Sequence, residues 1–243
     1  MNYKANTWVT LSIMILTATL MTTLIGCVSK GFNRGELKEQ TGIVTPTYND
    51  TQIKGEFQKK ANLPKPFKLA VYFKNPPDEK KNTMTEWRWT EHDKSIFEGL
   101  AHEMKAQGIV SDIFPIVSSV VNSDDLKSIR MAAAKHQADA VLIIAGAGQI
   151  DRYINGWGWT YTLLLPAFFV PGSQAETVFI SNATLWDVRN EYLYLTAETE
   201  ANTNEKYIAA FGKKDKDLVT EAKSTALNQL HDELRKMIKG TKF

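Results

Sequence analysis

Residues 139–145, Asp-Ala-Val-Leu-Ile-Ile-Ala, form a continuous apolar run after a single acidic residue. Such a run without alternation is typical of a strand that is covered on both faces, as in a parallel sheet between helices. A similar apolar and aromatic stretch, FKLAVYF, occupies residues 67–73 and stops at Asn75-Pro76-Pro77. Buried strands of this kind, separated by helical patterns, predict an α/β fold.

The segments around these two strands carry helix and strand signals. Thr90 and Asp93 have the spacing of a capping box ahead of an apolar stripe, and Ser123 is placed to cap a second helix. Residues 112–117 lie between these helices and predict another strand. Because Pro115 cannot donate to a strand ladder, we expect that strand at an edge of the sheet.

The carboxyl-terminal part predicts a hairpin and a helix. Strands at about 177–187 and 191–200 are separated by a tight turn, and an apolar stripe predicts a final helix over 215–239. The whole order is strand, helix, strand, helix, strand, strand, strand, helix. We therefore predict one α/β domain over residues 67–243, three-layer-like, with a mixed five-stranded sheet and an aromatic insertion at about 150–175.

The first 26 residues have the composition of an export signal. Lys4 lies in a short polar start, an apolar stretch follows, and the segment ends in Leu24-Ile25-Gly26 before Cys27, the one cysteine in the chain. Residues 24–27 resemble the lipobox of bacterial lipoproteins. The resemblance implies cleavage between Gly26 and Cys27 by signal peptidase II and acylation of Cys27. An uncleaved helix is the alternative, because about 20 apolar residues can span a bilayer.

The residues after Cys27 bear on location and reach. Val28-Ser29 lacks the aspartate that retains enterobacterial lipoproteins in the inner membrane. The lipobox resemblance thus implies the periplasmic face of the outer membrane in a Gram-negative cell, and the cell membrane otherwise. Residues 27–66 are polar and show no sustained apolar period, so we predict an acylated flexible tether with a span on the order of 30 to 40 Å.

A family resemblance extends to the predicted domain. The element order, the lipobox and the strand at Ala138-Asp139-Ala140-Val141-Leu142 together resemble the periplasmic α/β domain of curli-channel-like lipoproteins and the amino-terminal domain of the TolB protein. The resemblance covers about residues 67–239 and implies an envelope domain. No motif of either family assigns a role to an individual residue of this chain.

Composition and motifs argue against several classes of function. The net charge of +2 gives no electrostatic reason to expect nucleic acid, and one cysteine excludes a disulfide framework and a cysteine-based zinc site. Gly146-Ala147-Gly148 follows a strand, but Asp151 stands where a dinucleotide loop needs its third glycine. His102-Glu103 lacks the second histidine of a zinc-protease helix. We predict no cofactor, no metal site and no catalytic residue.

Two aromatic stretches are the predicted contact sites. The first, 156–171, has no charged residue and is broken by proline, and the second, 84–92, lies in the connection after the first strand. In the first stretch, aromatic side chains beside aliphatic ones suit a loop that touches lipid or a partner protein, and completion of the core is the alternative. The candidate contact residues are Trp87, Trp89, Trp157, Trp159, Tyr161, Leu164, Phe168 and Phe169. If the first and third strands are parallel neighbours, both stretches leave the same sheet edge and form one aromatic surface. For the two stretches together, the alternative to one shared surface is two unrelated hydrophobic plugs.

These observations predict a non-enzymatic envelope lipoprotein that acts as a binding or assembly component. Its predicted partners are membrane lipid, through acylated Cys27, and an envelope protein or a second copy of the chain. One alternative is an envelope hydrolase or transferase that uses His92 with Glu91 or Asp93. Another is an oligomeric secretion or pore component built through 157–171, although that segment lacks the apolar and polar alternation of a membrane-barrel strand.

Overall fold

The computed structural model describes residues 29, 31–42, 49–76, 87–158, 160, 169–208 and 211–241. The predicted leader and Cys27 lie outside these residues. No helix among the described residues is both long and apolar enough to cross a bilayer. The elements are α1 (Arg34–Thr41), α2 (Asp50–Gln58), β1 (Phe67–Phe73), α3 (Glu91–Ala106), β2 (Val110–Ile116), a 3-10 turn (Ser118–Val120), α4 (Leu126–Lys135), β3 (Ala140–Ile154), β4 (Ser173–Asp187), β5 (Leu193–Tyr207) and α5 (Asp215–Gly240).

The five strands form one mixed sheet in the order β2-β1-β3-β4-β5. β1 runs parallel to both β2 and β3, and Phe73 is in register with Ile144 of β3. Val188 N donates to Asp139 O at one end of the β3 and β4 pair, and Asn155 N donates to Gly172 O at the other, so these two strands are antiparallel. The α/β fold class with a mixed five-stranded sheet is therefore as predicted.

Helices cover both faces of the central strands. Side chains of β1 alternate, so Leu69 and Val71 face one side of the sheet and Ala70 and Tyr72 face the other. The first side packs against α3 and α5, through Phe97, Leu100, Leu227, Leu230 and Leu234. The second side packs against α4, through Ile129, Ala132 and Ala133. These contacts form the three layers that the continuous apolar strands predict.

Local signals located several elements correctly. β1 has the predicted bounds, Thr90 and Asp93 form the predicted capping box of α3, and β2 with Pro115 is an edge strand. The cap of α4 differs, because Asp125 rather than Ser123 accepts from the helix backbone, at Ser128 N. The Ser123 hydroxyl instead donates to the Asp125 carboxylate.

The described residues divide into two compact units. The larger unit contains the described parts of 33–149, 177–203 and 215–243, and the smaller unit contains those of 1–32, 150–176 and 204–214. β3, β4 and β5 each have 15 residues and extend past the predicted strands at 139–145, 177–187 and 191–200 into the smaller unit. The extensions were missed because their sequences are polar and resemble loops.

The predicted flexible tether is wrong over residues 33–42, which form a docked helix. Asn33 caps α1, Leu37 is fully buried, and Gly42 ends the helix with φ 89°. The Arg34 guanidinium contacts the Glu200 carboxylate of β5 through Nε and Nη2, at 3.0 and 2.8 Å, and this contact lowers the pKa of Glu200. The partners of α1 lie more than 140 residues away, so no local pattern reveals the docking.

Candidate functional site

Asn155, in the smaller unit, is hydrogen-bonded to both ends of the connection between β3 and β4. Asn155 N donates to Gly172 O and its Nδ2 donates to Pro171 O, both over 2.8 Å. Its Oδ1 accepts from Trp157 N over 2.9 Å, and its carbonyl accepts from Gly158 N over 2.8 Å. Asn155 thus fixes the backbone on both sides of the connection, so Trp157 and Pro171 lie at the same end of the two strands.

Large apolar side chains are exposed at this end of the strands. Trp157 is 65% exposed and Phe169 is 77% exposed, and Ile154, at the end of β3, is 42% exposed. Single exposed apolar residues are ordinary on a protein surface, but a group of them within a few residues marks a contact site. A large apolar side chain contributes about 1.5 to 3 kcal/mol when it goes from full exposure to full burial, so the largely exposed Trp157 and Phe169 would gain most of this from a partner. We call Ile154, Trp157, Phe169 and Phe211 the apolar tip.

Phe211 joins the apolar tip from the connection between β5 and α5. It is 73% exposed and its N donates to Ile208 O over 2.8 Å. Arg152 of β3 holds this connection, because its Nη2 donates to Lys213 O over 2.8 Å and its Nη1 donates to the Tyr207 hydroxyl over 2.7 Å. Arg152 lies two residues before Ile154, so the connection runs beside the end of β3.

A polar network supports the apolar tip from within the smaller unit. The Tyr153 hydroxyl donates to the Glu176 carboxylate, and Gln174 Nε2 donates to Glu176 over 3.1 Å and to Asn204 Oδ1 over 3.0 Å. The hydrogen bond to the Glu176 carboxylate raises the pKa of Tyr153 to about 12, so the phenol stays neutral at physiological pH. These hydrogen bonds connect β3, β4 and β5 to one another. The polar groups of Tyr153, Gln174 and Glu176 are thus paired within the network.

Ser29 lies in the smaller unit and is hydrogen-bonded to β3. Ser29 Oγ donates to Asp151 Oδ2 over 2.8 Å, and Gly31 N donates to the same oxygen over 3.2 Å. Gly31 has φ 71°, in the left-handed region that favours glycine. Ser29 and Gly31 are therefore both held to β3 by Asp151.

The structure places the other predicted aromatic cluster in the core of the larger unit. Trp87 is only 7% exposed, and its ring makes edge contacts with Phe179 and Trp89 at centroid distances of 5.0 and 4.8 Å. Trp89 is half-buried and its Nε1 donates to Lys74 O over 2.7 Å. Trp87 is therefore buried in the core of the larger unit, and the surface contact expected of it is wrong.

Two glycines of β3 explain this core and the Gly-Ala-Gly sequence. A Cβ on Gly146 would lie 2.7 Å from Phe179 Cζ, and one on Gly148 would lie 2.9 Å from Phe179 Cδ2. Both glycines therefore make room for the Phe179 ring, which is fully buried. The sequence analysis had no signal for this packing, because Phe179 lies on the next strand.

The two carboxylates of the predicted hydrolase site pair with lysine side chains. Asp93 is buried and its Oδ2 lies 2.5 Å from Nζ of buried Lys223, while Glu91 pairs with Lys94 at 2.7 Å. Lys223 Nζ also donates to Arg88 O over 2.7 Å. His92 is exposed on the first turn of α3. The structure therefore gives both carboxylates lysine partners.

The remaining predicted site residues lie outside the described part of the chain: Gly26, Cys27, Trp159, Tyr161, Leu164 and Phe168. β1 and β3 are parallel neighbours, as the shared sheet edge requires. Trp157 is exposed and Trp87 is buried, so Trp87 adds no exposed area to the predicted aromatic surface. Sequence analysis selected Trp157 and Phe169 of the apolar tip and missed Ile154 and Phe211.

Several solved structures match this chain, at low sequence identity and low TM-score. No family model and no curated protein sequence matches the chain. A lipoprotein from Neisseria meningitidis, GNA1162, is 13% identical, with 68% of this chain and 99% of that chain covered and a TM-score of 0.33. A minor lipoprotein from Acinetobacter baumannii is 10% identical, with 74% and 96% covered and a TM-score of 0.33.

The PelC dodecamer from Paraburkholderia phytofirmans is 18% identical, with 71% of this chain and 91% of that chain covered and a TM-score of 0.31. Similarity at this level assigns no function to the chain. The candidate site therefore rests on the residues and contacts of the chain itself.

Proposed function

We propose that the chain is an acylated bacterial envelope protein that acts as a binding or assembly component and makes contact through the apolar tip. The observation that carries the proposal is the exposure of Ile154, Trp157, Phe169 and Phe211 in one compact unit. The lipobox at residues 24–27 supports the anchor, with cleavage after Gly26 and acylation of Cys27. In a Gram-negative cell the proposed location is the periplasmic face of the outer membrane.

Binding suits the chemistry of the smaller unit better than catalysis does. The polar side chains of Tyr153, Glu176 and Gln174 bond to one another. An acyl anchor also raises the concentration of the protein at a surface, which strengthens weak contacts without new ones. The proposed partners are lipid and an envelope protein or a second copy of the chain, and the proposal includes no cofactor and no nucleic acid.

Photo-cross-linking in living cells tests this contact role. We expect benzoylphenylalanine at position 157 or 169 to form adducts with neighbouring lipid or protein after illumination, because both side chains are exposed. The matched control is position 131, since Met131 is 57% exposed but lies on α4 in the larger unit. Mass spectrometry of the adducts identifies what was contacted.

Adduct yields at positions 157 and 169 well above the yield at 131 would support the proposal. Equal yields at all three positions, in variants that reach the membrane fraction in normal amounts, would contradict a contact role for the apolar tip.

A further inference from the structure

We infer that the apolar tip inserts into the surface of the lipid bilayer in which Cys27 is anchored. The inference rests on the proposed function and names the partner of the same site. Three observations carry it: the short chain between the anchor and β3, the docking of α1, and the chemistry of the residues around the tip.

The chain between the anchor and the folded protein is short. Ser29 is bonded to Asp151 of β3, and Cys27 precedes Ser29 by two residues. Two residues span at most about 7 Å, so an acylated Cys27 stays within that distance of Ser29. Asp151 lies three residues before Ile154, which corresponds to about 10 Å along a strand. The lipid attachment point is therefore held close to the apolar tip.

The described residues that follow Ser29 are also bonded to the folded chain. Gly31 N also donates to Asp151, and Asn33 N donates to Gln149 Oε1 over 3.3 Å. α1 is then held to β5 by the contacts of Arg34 with Glu200 and of Lys38 with Glu198. The protein thus holds the membrane-proximal segment that a flexible tether would leave free.

The residues around the tip have the chemistry of a membrane interface. Trp157, Phe169 and Phe211 provide aromatic rings that enter the region between headgroups and acyl chains. Lys213 and Lys214 follow Phe211 after one glycine and are exposed, and lysines beside an inserted aromatic residue attract anionic headgroups. A protein partner would require a second molecule to reach the site, whereas the anchor holds the bilayer there permanently.

Single-cysteine spin labels measure this insertion directly. Acylation occupies Cys27, the one native cysteine, so Trp157→Cys, Phe169→Cys and Phe211→Cys each provide one free thiol for a nitroxide. Met131→Cys is the control, and circular dichroism checks that each variant is folded. The purified acylated full-length protein is placed in vesicles of phosphatidylethanolamine and phosphatidylglycerol, and the accessibility of each label to oxygen and to a water-soluble nickel chelate is measured.

Oxygen concentrates in the acyl region and the nickel chelate stays in water. We expect the oxygen-to-nickel accessibility ratio at positions 157, 169 and 211 to exceed the ratio at 131 by about threefold or more, as insertion of an interfacial segment predicts. Ratios equal to that at 131 would overturn the inference and leave the proposed function intact. Labels shielded from both reagents would also overturn it and would indicate a protein contact.

Failure of the proposed function itself has a separate signature. The mass of the Cys27 peptide, taken before the vesicles are made, reports whether the acyl chains are present. A protein without them removes the anchor, and with it both the proposed function and the inference of insertion.

Discussion

Replacement of Lys223 by methionine is expected to lower the free energy of unfolding by about 3 to 5 kcal/mol. The Lys223 and Asp93 side chains are 3% and 4% exposed, and their charged atoms lie 2.5 Å apart. Methionine keeps most of the volume of lysine but leaves the Asp93 carboxylate buried without its counter-ion. Thr90 N still donates to that carboxylate, and one backbone donor does not offset the loss of a buried cation.

Urea denaturation followed by circular dichroism measures this loss. Lys216→Met is the matched control on the same helix, because Lys216 is exposed, and we expect a change within about 0.5 kcal/mol there. Addition of Asp93→Asn to Lys223→Met removes the unpaired charge and is expected to restore part of the stability. Similar losses for the two lysine variants would contradict a stabilising role for the buried pair.

Replacement of Phe179 by alanine is expected to cost about 3 to 5 kcal/mol of unfolding free energy. The ring is fully buried, contacts Trp87 and covers the two glycines of β3. Removal of the ring leaves a cavity that the rigid strand cannot close. Urea denaturation gives the size of the loss, and Phe169→Ala, at a side chain that is 77% exposed, is the matched control with little expected change.

A coupling measurement tests the packing itself. Gly146→Ala alone is expected to cost about 1 to 3 kcal/mol, because its Cβ would overlap the Phe179 ring. In the Phe179→Ala background that ring is absent, so the same substitution should cost clearly less. An equal cost of Gly146→Ala in both backgrounds would show that something other than Phe179 requires the glycine.

The fold was predictable where local sequence determines it. The β1 run, the Thr90 capping box and the edge position of Pro115 depend on neighbours in sequence, and all three were predicted. The docking of α1 depends on pairs such as Arg34 with Glu200, which lie 166 residues apart. Hydrophobic periodicity does not indicate pairs that are so far apart in sequence. The strand extensions were missed for a related reason, since their pairing partners make them strands.

The candidate site was predictable in part. The uncharged aromatic sequence around Trp157 and Phe169 indicated a contact segment, and both side chains are exposed. Phe211 was missed, although an aromatic residue after the apolar residues 208–210, in the connection before α5, was a usable signal. Trp87 was misplaced because its position in the connection after the first strand suggested a surface loop, whereas its burial depends on Phe179 of a distant strand.

Acylation of Cys27 is the premise of the proposed location and of the membrane contact, and labelling with a radioactive fatty acid measures it directly. Wild type and Cys27→Ala are expressed with a carboxyl-terminal tag in cells given the label, and the membranes are then fractionated. We expect label on the wild type alone, with the wild type in the outer-membrane fraction of a Gram-negative host and Cys27→Ala lost from it. Equal labelling and equal fractionation of the two proteins would contradict the anchor and the envelope function proposed from it.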